Sequence, residues 1–144
     1  MNPDSGETQL LQKAATVAAE NAYAPYSNFR VGAALLLTDG SIVTGGNVEN
    51  VSFGLTICAE RSALVRAVAE KGPNILVQAI AVTNLNHAAS PPCGACRQVL
   101  SEFVTEDATI SFPSESGTEI FPFATLMPFA FKLAPPSKSS AERG

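Results

Sequence analysis

No run of lysine or arginine occurs anywhere in this chain, and its 9 basic residues are outnumbered by 13 acidic ones, for a formal net charge of −4. A nucleic-acid binder needs a basic stripe for the phosphate backbone, so nucleic acid is not an expected partner. Any apolar run near the ~20 residues that a membrane-spanning helix requires is also missing, which sets aside a membrane partner. The opening stretch MNPDSGETQLL carries acids where a secretory signal needs a positive region, and this points to the cytoplasm. Cysteine is scarce: there are 3, an odd number that does not make a disulfide framework, and their thiols should stay reduced in that compartment. Internal repeats and linkers are absent too.

The 144 residues that remain are 46% hydrophobic and 15% charged, the balance of a globular chain long enough for one domain with a real core. That domain should run over 1–134, with 135–144 a frayed tail that has almost nothing to bury. Leu10, Leu11, Ala14, Ala15, Val17, Ala18 and Ala22 space one face of an amphipathic helix that ends by Pro25. RVGAALLLTDGSIVTGG reads as two strands joined at Asp39-Gly40, a strong hairpin signal. CAERSALVRAVAEKGP is a second helix stopped by Gly72 and Pro73, and ILVQAIAVTN is an apolar run suited to a central strand. CGACRQVLSEFV is a third helix, and DATISF and GTEIFPF are two shorter strands around PSESG. The order α-β-β-α-β-α-β-β predicts a three-layer α/β/α domain on a mixed five-stranded sheet.

Cys58, Cys93 and Cys96 all fall at predicted helix N-termini, where unpaired N–H groups and the helix dipole favour thiolates. Cys93 and Cys96 are three apart and share one helix face. Three thiolates from two helix starts make a soft anionic site suited to zinc, one ion per chain. Two rivals stand beside that reading. Cys-Gly-Ala-Cys at a helix start also fits a thioredoxin-type redox pair. The lone His87, six residues before Cys93, would close a Cys₃His structural site in a protein that is no enzyme. Glu60, two past Cys58, weighs against both. A carboxylate there complements the helix dipole, yet neither rival needs an acid, whereas water activated at a metal does.

C-x-E followed by P-C-x-x-C is the signature of the zinc nucleobase deaminases in its three-cysteine form. From about Ala14 to Phe131, through AYAPYSNFRVGAAL, GGNVENVSFGLTICAERSAL, PPCGACRQ and LMPFAF, the chain resembles the small homotetrameric cytidine deaminases. Polynucleotide and tRNA deaminases usually carry His where this chain has Cys58.

The resemblance implies hydrolytic deamination of cytidine and 2′-deoxycytidine, in pyrimidine salvage, with Cys58, Cys93 and Cys96 on zinc and Glu60 moving protons. It implies that Asn47 and Glu49 bond the sugar 3′-hydroxyl. Two polar residues at i, i+2 of an extended segment point the same way, although the same letters also describe an Asx-type turn after Gly45-Gly46. It implies that Phe29 stacks on the pyrimidine, where a single Phe is otherwise ordinary core. Asn47 to Phe53 would line the nucleoside pocket, and Phe53 stands where the family more often has Tyr. The backbone of Cys58 and Ala59 would engage the base or the water. Arg61, otherwise a plain helix arginine, would offset the excess charge of three thiolates on one Zn²⁺. Pro91 replaces the usual Ser or Thr but keeps the carbonyl that would lie near the leaving ammonia. Phe131 would reach into a neighbouring subunit, giving a homotetramer with shared active sites that takes a free nucleoside. The alternative within enzymes is a deaminase of another aminopyrimidine nucleoside, such as a nucleoside antibiotic.

Overall fold

The computed structural model describes residues 5–133. The tail expected at 135–144 lies outside them. In chain order the elements are α1 (Ser5–Ala19), β1 (Val31–Leu37), β2 (Ile42–Gly46), α2 (Ala59–Lys71), β3 (Val77–Asn84), α3 (Gly94–Ser101), β4 (Val104–Ser114), β5 (Gly117–Pro122) and a single-turn α4 (Phe123–Leu126). The five strands form one sheet in the order β2-β1-β3-β4-β5. Only β3 and β4 run parallel, so the sheet is mixed, as expected.

Alternation along β1 sorts the two faces. Ala34 and Leu36 pack under α1 with Leu11, Ala15, Ala79 and Ala81. Ala33, Leu35 and Leu37 point the other way, into the larger core with Ala63 and Leu64 of α2 and Leu100 of α3. Helices therefore cover both faces, giving the three predicted layers. Two glycines set how closely they sit. A Cβ on Gly32 would lie 1.8 Å from the Ala15 carbonyl oxygen, and one on Gly45 would lie 2.4 Å from the Ala63 nitrogen. Only glycine lets the α1 and α2 backbones approach the sheet this far.

The boundaries differ from the sequence expectation in three places. α1 ends at Ala19, before Pro25 as expected but leaving Ala22 outside the helix, because Glu20, Asn21 and Ala22 turn tightly with N–H bonds to carbonyls three residues back. α3 stops at Ser101, and the predicted helical Val104 opens β4 by pairing with Val77; sheet pairing overrides helical spacing there. β4 is correspondingly longer than DATISF, and α4, which the sequence reading lacks, follows β5 directly.

Candidate active site and metal centre

α2 and α3 both begin at the same end of the sheet, and each begins on a cysteine. Cys58 is the N-cap of α2 and Cys93 the N-cap of α3, both in extended conformation. The Cys96 N–H, in the first turn of α3, donates to Cys93 Sγ at 3.5 Å. The three sulfurs lie within 4.8 Å of one another, and Cys58 Sγ and Cys93 Sγ are 3.8 Å apart. Sulfurs bound tetrahedrally at about 2.3 Å from one zinc are separated by about 3.8 Å, so the cluster is already the size of a zinc shell. The donor chemistry fits as well, since thiolates are the soft ligands zinc takes.

Charge in the cluster is managed locally. Arg61 Nη2 donates to Cys58 Sγ at 3.5 Å. The Cys58 thiol is brought down to about 5, first by a hydrogen bond from Cys96 and next by Arg61. Cys96 moves in the opposite direction, since its own proton is held against Cys58 and it is buried. A bound zinc would displace the thiol protons of the pair.

Glu60 is 4% exposed, and burial is the first cause that lifts its carboxyl above the ordinary carboxylate value; the Cys58 thiolate adds to the lift. A buried carboxyl with a raised pKa beside a metal centre can both accept and return a proton. His87 is no part of the thiol cluster among the described residues, and it lines a separate cavity with Gln12 and Thr16. The Cys₃His closed site is therefore not formed.

A cleft of about 220 Å³ opens in front of Glu60, Cys58 and Cys93. Phe29, Asn47 and Ala59 line it, as do Thr56, Val82 and Ser90, which the sequence reading did not single out. Phe29 is delivered by a tight turn. Asn28 takes a left-handed φ of 58°, which Asn tolerates, and its N–H bonds to the Ala24 carbonyl at 2.9 Å. The Asn47 amide spans the next step, accepting from Val31 N–H and donating to the Phe29 carbonyl, both at 2.9 Å.

Glu49 is not on the cleft wall. Its carboxylate accepts from the N–H groups of Tyr26 and Ser27, at 3.0 and 3.2 Å, and from the Ser27 hydroxyl. Asn47 and Glu49 do face the same way, both towards the 26–31 turn, held by bridges from Val48 to Tyr23 and Ile57. Phe53 sits in a short 3₁₀ turn (Phe53–Leu55), exposed, with its ring edge-on to Tyr26 at 6.1 Å. Phe131 is exposed beyond α4 and lies apart from this cleft within the chain.

Three thiols that fit a zinc ion, a buried carboxyl at their side and an open cleft define a zinc enzyme of the hydrolytic class. Residues 5–111 match the family described as the cytidine and deoxycytidylate deaminase zinc-binding region, and the chain belongs to that family. It is 45% identical over 126 residues to a cytidine deaminase of Halalkalibacterium halodurans, covering 87% of this chain and 94% of that protein. The solved cytidine deaminase from Burkholderia pseudomallei superposes with a TM-score of 0.77 at 44% identity, over 85% of this chain and 98% of the other. That from Mycobacterium tuberculosis gives 0.73 at 42%, over 87% and 97%. The cofactor of this family is zinc.

Proposed function

We propose that this chain is a cytidine deaminase that converts cytidine and 2′-deoxycytidine to the uridines with release of ammonia, in the cytoplasm and in service of pyrimidine salvage. The observation that carries the reading is Glu60, buried and with its carboxyl pushed up, set beside three thiols of zinc-shell size at the end of an open cleft. When bound, zinc supplies Lewis-acid chemistry that lowers the pKa of water towards about 7.

Every other step falls to residues of the chain. Cys58, Cys93 and Cys96 hold the ion, and Arg61 offsets their charge. Glu60 takes a proton from the attacking water, whose oxygen bonds to C4 of the pyrimidine, and passes that proton to N3. The proton of the new C4 hydroxyl then passes to the exocyclic amine, the C4–N bond breaks, ammonia leaves past the Pro91 carbonyl, and the ring keeps a carbonyl at C4. Phe29 stacks on the base, with the Ala59 backbone at its edge. The amide of Asn47 and the carboxylate of Glu49 take the sugar 3′-hydroxyl. Phe53 walls the mouth of the cleft, and Phe131 reaches a neighbouring copy's cleft in a homotetramer. With four more acidic than basic groups, the chain suits a free nucleoside rather than a polynucleotide.

The decisive experiment measures zinc content beside the loss of cytidine absorbance and the appearance of uridine. The expected result is about one zinc per chain and stoichiometric uridine. Zinc-loaded protein that leaves both cytidine and deoxycytidine unchanged overturns the reading.

A further inference from the structure

The turn that delivers Phe29 and the carboxylate of Glu49 are tied together by one hydroxyl, that of Ser27. Its proton goes to Glu49 Oε2, and one of its lone pairs takes the Phe29 N–H at 3.0 Å. We propose that Ser27 is a positioning residue for the nucleoside, setting the base wall and the sugar contact with the same oxygen. The proposal rests on the roles given above to Phe29 and Glu49.

The lone-pair count gives it content. Glu49 Oε1 already accepts twice, from Tyr26 N–H and Ser27 N–H, which uses its capacity. Oε2 accepts once, from the Ser27 hydroxyl, and keeps one lone pair. Pinned at both oxygens, the carboxylate cannot rotate, so the remaining acceptor is held in one direction for a sugar hydroxyl. The same Ser27 oxygen satisfies the Phe29 N–H, so the backbone that aims the ring and the acceptor that meets the sugar cannot shift independently. Without the hydroxyl, Oε2 swings and the Phe29 N–H loses its partner. Ser27 lies outside the thiol cluster and does not line the cleft, so its loss should act on binding far more than on turnover.

The test compares Ser27→Ala, Ser27→Thr, Glu49→Ala and the Ser27→Ala/Glu49→Ala pair, in zinc-loaded protein, by KM and kcat for cytidine. Losing a charge-assisted hydrogen bond is worth roughly 10-fold or more in affinity, so KM for Ser27→Ala should rise on the order of 10-fold with kcat falling less than about threefold. Ser27→Thr keeps the hydroxyl and should restore most of KM, which a mere folding defect would not predict. Adding Ser27→Ala to Glu49→Ala should raise KM by less than about twofold more, because the acceptor it positions is gone. If Glu49→Ala raises KM strongly while Ser27→Ala keeps the parent value, the positioning role of Ser27 is wrong and the sugar contact stands. If Glu49→Ala itself keeps the parent KM, the sugar contact is wrong and Ser27 falls with it.

Discussion

Glu60 shows how far a single residue's burial can dictate its chemistry. Taken out of water beside a thiolate, it holds a proton more readily than an ordinary carboxylate, yet it stays one residue from Arg61 and two from Cys58. Replacing it with Gln preserves size and much of the hydrogen bonding but removes proton uptake. Positioned proton transfer contributes about 10²–10⁴-fold, and Glu60 serves more than one step, so kcat of Glu60→Gln should drop by about 10⁴ or more with zinc retained. A variant that keeps most of its kcat removes Glu60 from the mechanism, and one that loses zinc makes it a support of the metal instead. Glu49 gives a pH prediction of opposite sign. The Ser27 hydroxyl is the first cause that holds its carboxyl below the ordinary value, and the backbone N–H groups of Ser27 and Tyr26 add to it. A depressed pKa means the acceptor survives as pH falls through the usual carboxylate range and is lost only below it. Cytidine KM, followed while zinc content is monitored, should therefore hold as pH falls through the ordinary glutamate value of about 4.3 and rise only in stronger acid, with Ser27→Ala moving that rise upward. A KM that already climbs near pH 6 contradicts this.

The helices carry the residues to their places, and their seats depend on glycine. Gly45 lies against the Ala63 backbone, and α2 could not otherwise lie where its first turn brings Cys58 and Glu60 to the cleft. Gly45→Ala forces backbone apart rather than a flexible side chain. Overpacking of this kind costs about 1–3 kcal/mol, which for a domain of this size lowers Tm by roughly 4–15 °C. Zinc should also leave faster to a chelator, since one ligand rides on α2. Gly54→Ala, with nothing within 4 Å, is the control that should melt with the parent. Equal melting of the two variants removes close approach as what seats the helix. Much of this level is legible in the sequence: the helix starts at Cys58 and Cys93 and the turn at Asp39-Gly40 follow from local chemistry. Thiolate, carboxylate and spacing together leave few other uses for Cys58, Glu60, Cys93 and Cys96. What is not legible depends on distant partners. Val104 looks helical until Val77 pairs with it, four-residue α4 is too short to show a period, and Ser27 gains meaning only when Glu49 arrives 22 residues later.

The whole chain leaves apolar surface that its own core does not use. Val51, Phe53 and Leu55 are exposed near the cleft, and Phe129, Phe131 and Leu133 are exposed beyond α4. Patches of this kind mark interaction surfaces. The cleft itself, at about 220 Å³, is smaller than the roughly 300–1,000 Å³ of sites that enclose a ligand, which is what the proposed shared site would require. In the proposed homotetramer a second copy would place an aromatic, Phe131, over the opening. Light scattering of the zinc-loaded protein should then give about four times the chain mass of 15.0 kDa. Phe131→Ala tests the shared site separately from assembly. Burying a phenylalanine is worth about 1.5–3 kcal/mol, so cytidine KM should rise roughly 10- to 100-fold if that burial is made only with nucleoside bound. The mass should stay tetrameric, because the remaining apolar residues still hold the copies together. A variant that falls apart and loses activity in step assigns Phe131 to the interface alone. A parent protein that runs as a monomer with full activity ends the shared-site proposal, since each chain would then enclose the nucleoside unaided.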